Sequence, residues 1–366
     1  MSETNQTNEA QTETPPNSTP TETAPPKSQR FLLMFVIAGF SFAGWYGWQQ
    51  RDDFLRFFGK HSKRRFMNVA GSFDISNAII PKEEIHSGGV PQDGIPSISE
   101  PMFVTAAKAT FLKPNSKVIG VYFEGKARAY PLSIMDGHEA VNDRIGKTSF
   151  AVTYCPLCDS SAVYNRKTEQ GEIEFGISGM LYNSNVLLYD RNSKEDNKKN
   201  SLWSQMMSQS VAGPRVKEKL ATLPLDVTTW EDWKKRYPET KVLTTSGPPQ
   251  SRNPHYQSYF ATDQLMFSVN KEDKRLSKKT PVFGIWAGKT MRAYPISAFE
   301  KITEPLELKQ ELAGKKFTLI YNPQAKSLRV VQGDDGLQWV YSFWFAWYAF
   351  HPQTELFDAK MIKPAS

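Results

Sequence analysis

The sequence predicts a β-rich α+β protein, two related modules from a degenerate internal repeat, preceded by one transmembrane helix. Three observations carry that prediction. Residues 118–134 (VIGVYFEGKARAYPLSI) align without a gap on residues 282–298 (VFGIWAGKTMRAYPISA). A second match follows, GKTSFAVTYCPLC at 146–158 against GKKFTLIYNPQA at 314–325. Residues 31–48 read FLLMFVIAGFSFAGWYGW, 18 residues without a charge.

In chain order, residues 1–30 are mostly Thr, Pro, Asn, Glu, Ser and Gln. Such a segment buries too little apolar surface to offset chain entropy, and it reads as a disordered tail. Residues 31–48 would form about 27 Å of helix, near the thickness of a hydrocarbon core, with Trp45, Tyr46 and Trp48 at the interface. The lipid bilayer is therefore the expected partner of this segment. Residues 49–78 form a basic juxtamembrane linker with Arg51, Arg56, Lys60, Lys63, Arg64 and Arg65. The positive-inside rule applied to those charges places the folded part in the cytoplasm.

Residues 79–245 make the first module. Its repeat copy reads as an apolar strand, a turn at Gly125, a returning strand, and Pro131 before a short helix. Residues 174–191 carry two more strand-like runs around a turn at 182–185, and 228–237 (TTWEDWKKRY) has helical spacing that Pro238 stops. The Gly, Pro and Ser of 246–254 open a linker over 246–280. The second module, 281–366, repeats the hairpin around Gly288 and ends in the aromatic run 339–350, too short for a second span.

Composition narrows the function. The chain has 366 residues, 39% apolar and 13% aromatic, enough for one large or two ordinary cores. Its net charge of +7 rests on 45 basic and 38 acidic residues without a long basic run beyond 60–65, so nucleic acid is not the expected partner. No Walker loop, GxGxxG, GxSxG or HExxH pattern occurs, which removes support for the common phosphate, dinucleotide, serine-hydrolase and zinc-protease chemistries.

The chemistry-bearing residues are few. Cys155 and Cys158, the only cysteines, stand as Cys-Pro-Leu-Cys after the strand FAVTY. That spacing suits a redox pair, two thiolate ligands of a metal, or a local disulfide. The second copy keeps Tyr321 and Pro323 but has Asn322 and Ala325 in place of the cysteines, and it lacks a counterpart of His138. Cys155, Cys158 and His138 are thus additions to one copy. Together they form a candidate site for Zn or Cu, with a fourth ligand from Glu139, Asp159, Met180 or water. The strand-like 160–164 behind the cysteines argues against thioredoxin-type exchange, which expects a helix N-terminus there.

At these motifs the chain resembles a bacterial family catalogued as domain of unknown function 3179. The matching features are 88–96 (GGVPQDGIP), 128–131 (RAYP), 138–143 (HEAVND), 153–158 (TYCPLC), 178–184 (SGMLYNS), 189–191 (YDR) and 201–205 (SLWSQ). They span roughly 79–288, and Asp159-Ser160 stands where the family usually has Gly. The resemblance implies a domain often preceded by an export signal or lipid anchor, hence an extracytoplasmic folded part, and it implies no activity. The expected function is a single-pass membrane-anchored protein that binds a transition metal through Cys155, Cys158 and His138. The alternatives are a thiol-disulfide oxidoreductase with Cys155 as nucleophile and Cys158 as resolver, and a non-catalytic envelope binding module with a structural disulfide.

Overall fold

In the first repeat segment, the strand Lys117–Phe123 pairs antiparallel with Lys126–Pro131, with Val118 opposite Pro131 and Gly120 opposite Ala129. In the second, Pro281–Ala287 pairs with Thr290–Pro295, with Val282 opposite Pro295 and Gly284 opposite Ala293. Both hairpins place apolar side chains inward and end at a proline, after which one turn of helix follows, Leu132–Met135 or the 3-10 turn Ile296–Phe299. This computed structural model describes residues 73–246, 254–358 and 360. The tail 1–30, the span 31–48 and the start of the basic linker lie outside the described residues. Among the described residues, no helix is long and apolar enough to cross a membrane.

A three-stranded meander follows each hairpin. The first is Ala140–Ile145, Thr148–Cys155 and Ser160–Asn165; the second is Leu306–Leu312, Lys315–Asn322 and Ser327–Gly333. Each chain then returns beside its own hairpin, through Asp226–Thr229 or Gln338–Phe343. A seven-residue helix comes next, Trp230–Arg236 or Trp344–Phe350, and then a short strand parallel to the hairpin, Lys241–Thr244 or Glu355–Leu356.

The first helix shows why such a short segment is helical. Thr229 caps it by accepting the Asp232 N–H, Glu231 and Asp232 sit at its positive end, and Lys234, Lys235 and Arg236 at its negative end. Trp230 and Trp233, three residues apart, bury one face. The aromatic run 339–350 resolves into half strand and half helix, within the core.

The sheets interlock the two halves. A seven-stranded sheet runs from Glu355–Leu356 through the second hairpin and Gln338–Phe343 to the first meander, joined where Tyr341 pairs with Ser161. Thr228 Oγ1, on the first half's return strand, lies 3.2 Å from Ser327 Oγ in the second meander. Tyr130, Phe150, Tyr154, Phe283, Tyr294 and Tyr321 fill the main core between these layers. Full burial of a side chain the size of Phe150 contributes about 1.5–3 kcal/mol.

One long segment has no counterpart in the second half. Between Ser160–Asn165 and Asp226–Thr229 the chain adds Phe175–Tyr182, Asn185–Asp190, Leu202–Ser204 and Gln209–Ala212, which with Ile85–Ser87 form a separate five-stranded sheet. A second core cluster, holding Phe175, Trp203, Trp344 and Trp347, also contains both cysteines.

Candidate functional site: a buried dithiol turn

Strand Thr148–Cys155 delivers Cys155 at its last position, opposite Ser160 on the returning strand. The intervening turn is closed by Cys158 N–H to Cys155 O at 3.2 Å and Asp159 N–H to Pro156 O at 3.4 Å. Asp159 takes the left-handed conformation at φ 44° to bring the chain back, and its Oδ1 accepts the Tyr154 hydroxyl at 2.6 Å. Both cysteines are enclosed, Cys155 at 1% and Cys158 at 0% exposure.

The inserted hairpin closes over them. Its turn, Asn183 at φ 50° and Ser184 at φ 62°, has the double left-handed geometry that suits a tight two-residue connection. The turn carries Ser184 O to 3.2 Å from Cys158 Sγ and 3.9 Å from Cys155 Sγ. Behind the sulfurs lies a buried amide network: Asn185 Nδ2 donates to Ser160 Oγ at 3.0 Å and Gln205 Oε1 at 2.9 Å, and Gln205 Nε2 donates to Thr153 Oγ1 at 3.0 Å. Burial strengthens these bonds and fixes the turn. From the other side, helix Pro254–Phe260 brings the Tyr259 hydroxyl to Leu157 O at 3.1 Å, between the two cysteines.

The two thiols are not equivalent. Burial pushes the Cys155 thiol up, but hydrogen bonds from the Cys158 thiol and from the N–H groups of Val186, Cys158 and Leu157 outweigh it and leave Cys155 below its ordinary value. Burial, donation to Cys155 and the Cys155 charge push Cys158 well above. The two thiols are thus shifted in opposite directions. Peptide N–H groups supply the partial positive charge that a helix N-terminus supplies elsewhere, so the strand behind the turn does not preclude an activated cysteine.

Glu139 and His138 part company. Glu139 adopts φ 55°, its carbonyl accepts the Tyr154 N–H at 2.8 Å, and it is only 6% exposed. Burial first, then the charges at Cys155 and Asp136, hold its carboxyl well above the usual carboxylate range. Tyr256 is raised as well, by burial and then by the charges of Glu139, Cys155 and Asp136. His138 is more exposed, and its Nδ1 lies 2.8 Å from Pro96 O. Among the described residues, no group of three His, Cys, Asp or Glu is placed to hold a metal ion.

Against known families, the profile described as "Protein of unknown function (DUF3179)" matches residues 92–340. The chain belongs to this family. The family match takes in both hairpins, both meanders, the dithiol turn and the hairpin that covers it. It starts 13 residues later than the motif resemblance and continues 52 residues further, through the second meander. Neither a curated protein nor a solved structure matches the chain.

Sequence reasoning singled out Cys155, Cys158, His138 and Glu139. It missed Ser184, Asn185, Val186, Tyr256 and Tyr259 as neighbours of the sulfurs, and it put the helix Pro254–Phe260 inside a linker. The turn between two eight- and six-residue apolar strands was the signal available for Ser184. The main-chain donors to Cys155 leave no trace in residue type.

Proposed function

We propose that Cys155 and Cys158 form a dithiol–disulfide redox centre, with Cys155 as the attacking thiolate and Cys158 as the resolving thiol. The observation that carries this reading is the enclosure of both sulfurs in one tight turn, each against Ser184 O, in surroundings that pull Cys155 below its ordinary value and push Cys158 above it. A single thiolate beside a protonated thiol is the state from which thiol–disulfide exchange starts. Because both sulfurs are enclosed, the partner is a low-molecular-weight disulfide rather than the surface of a folded protein.

The test equilibrates the full chain in buffers of reduced and oxidised dithiothreitol, traps free thiols by alkylation, and measures mass together with bound metal. A reversible Cys155–Cys158 disulfide is expected. A pair that stays reduced in every buffer, or that carries stoichiometric zinc or copper, overturns the proposal.

Two further elements belong to the same reading. The folded part is tethered to a membrane by residues 31–48 and lies outside the cytoplasm; the uncharged run and the family's frequent export signals support this. Resistance of the full chain to carbonate extraction checks the tether. The two halves also descend from one duplicated module. In support, the hairpins share register, and Trp233 Nε1 donates to Thr240 Oγ1 at 3.0 Å as Trp347 Nε1 does to Thr354 Oγ1 at 2.9 Å. The cysteines then are a specialisation of one copy, since the second turn has Asn322 and Ala325.

A further inference from the structure

The sequence carries Arg-Ala-Tyr-Pro twice, at 128–131 and 292–295, and the two arginines meet opposite surroundings. Each faces one residue of the short parallel strand beside its hairpin: Arg292 faces Glu355, and Arg128 faces Lys241. In the second half the Glu355 carboxylate covers one edge of the Arg292 guanidinium, with Oε2 at 2.9 Å from Nε and 2.8 Å from Nη2. The remaining nitrogen, Nη1, lies 3.4 Å from both the Tyr294 hydroxyl and Gln310 Oε1. In the first half Asp143 takes the place of Gln310, opposite Phe150 as Gln310 is opposite Phe317. Asp143 accepts Arg128 Nη1 and the Tyr130 hydroxyl. The Nη1 side is therefore matched in both halves. The Nε–Nη2 edge is not: among the described residues Asp143 is the only carboxylate that reaches Arg128, and a lysine holds the register position of Glu355.

Arg128 lines a groove of about 640 Å³ together with Phe103, Arg144 and Arg166, a volume within the range of small-molecule sites. Strand Met102–Thr105, paired outside Lys241–Thr244, contributes Phe103, whose ring centre lies 4.3 Å from Arg128 Cζ. Among the described residues, no strand lies outside Glu355–Leu356 in the second half. The groove lining holds three arginines and three acids. Two of the acids are already spent within the protein. Asp143 also accepts the Arg144 N–H at 2.6 Å, and Glu172 takes Arg144, Arg166 Nη2 at 2.8 Å and Ser149 Oγ at 2.9 Å. The third, Glu100, is exposed. The donors are not used up, because each guanidinium offers five N–H groups and the buried Nε of Arg166 has no hydrogen-bond partner among the described residues. The unmet capacity of the groove is thus for an anionic acceptor.

We propose that this groove binds a small organic carboxylate, held on the Nε–Nη2 edge of Arg128 as Glu355 is held on that of Arg292. The second half shows the ligand chemistry with the protein's own side chain, and a guanidinium edge fits a carboxylate in geometry as well as charge. Arg144 and Arg166 add attraction for the anion, and Phe103 offers an apolar wall to its carbon skeleton. The site shares no residue with the dithiol turn and stands independently of the redox reading.

The experiment titrates succinate into the full chain by calorimetry and follows the arginine Nε–Hε signals in nitrogen-15 spectra. The same titration is run with inorganic phosphate, and with succinate on Lys241→Glu. That variant keeps every lining side chain and gives the first half the carboxylate that the second half already has. A saturable heat with a shift of the Arg128 signal is expected in the wild type. Succinate affinity should fall about tenfold or more in Lys241→Glu, as the new carboxylate takes the free edge. Absence of saturable binding in the wild type, or an Arg128 signal that does not move, overturns the site without need of a variant. Equal affinity in Lys241→Glu overturns the role of the Arg128 edge, and binding of phosphate but not succinate overturns the carboxylate assignment.

Discussion

The indole of Trp233 occupies the space that a side chain at Gly120 would need. A Cβ built on Gly120 would lie 2.3 Å from Trp233 Cε3, and one built on Gly284 would lie 2.2 Å from Trp347 Cζ3. Real Cβ contacts are never so short, and neither indole can retreat, because Nε1 of each is tied to a threonine hydroxyl. Gly120→Ala and Gly284→Ala are therefore each expected to destabilise the fold by about 1–3 kcal/mol, the usual cost of overpacking. Urea unfolding of the two variants checks this, and a loss at only one position would show that the two contacts are not equivalent in strength.

The hairpins were legible because a strand's period of two, a turn glycine and a terminal proline all lie in residue type. Asn183 and Ser184 illustrate the opposite case. Their turn could be placed from sequence, but the distance from that turn to Cys158 Sγ depends on how a separate five-stranded sheet packs, and no local pattern encodes that. The choice between His138 and Glu139 was equally hidden: a single left-handed φ decides which of two adjacent polar residues turns inward. The tryptophan–threonine pair at 233 and 240, which recurs at 347 and 354, was not read from the sequence. Its counterpart helix, WFAWYAF, replaces every charge of WEDWKKR with an apolar group and buries more of its surface.

The thiol at Cys158 is the leading hydrogen-bond donor that lowers Cys155. Removing it in Cys158→Ala should raise the Cys155 midpoint by about one pH unit, since a hydrogen bond to a charged group contributes about 1.5–3 kcal/mol. Cys158→Ser retains a hydroxyl donor and should titrate close to wild type. The ultraviolet absorbance of the thiolate reads both. Equal midpoints for the alanine and serine variants would show that the peptide N–H groups alone set the acidity.

His351 links stability to pH. Its ring packs at a tilt on Trp347 at 4.1 Å and stacks on Trp286 at 5.5 Å, and its Nε2, shut from solvent, has no hydrogen-bond partner among the described residues. Burial lowers its pKa from 6.5 to about 4. Between those values the unfolded chain binds the proton and the native state does not. The stabilisation is therefore complete above pH 6.5 and is lost as pH falls toward 4, by up to about 1.4 kcal/mol per pH unit. His351→Phe keeps the stacking and removes the titration. Urea unfolding at pH 7.5 and pH 5 should show a larger acid loss for wild type than for the variant; an equal loss would place the acid sensitivity elsewhere.

Access to the sulfurs depends on Lys279. This buried ammonium donates to the carbonyls of Tyr259 and Gln264, the latter at 2.7 Å, and lies 3.3 Å from the centre of the Tyr259 ring. It thereby holds helix Pro254–Phe260, whose Tyr259 hydroxyl reaches into the loop between the cysteines. Lys279→Met keeps the aliphatic stem and removes the charged donor. With about 1.5 kcal/mol or more lost from the closed state, the population of molecules with the helix lifted should rise roughly tenfold, and alkylation of Cys155 by a small reagent should accelerate in proportion. Burial lowers the Lys279 pKa to about 8, so in the wild type the ammonium loses its proton as pH rises through that value and the same opening should follow. The alkylation rate of the wild type, corrected for thiolate fraction, should therefore climb above pH 8 while that of Lys279→Met stays flat. A corrected rate that is flat in both proteins would mean that the helix is held by its aromatic contacts, Phe260 against Phe343 foremost.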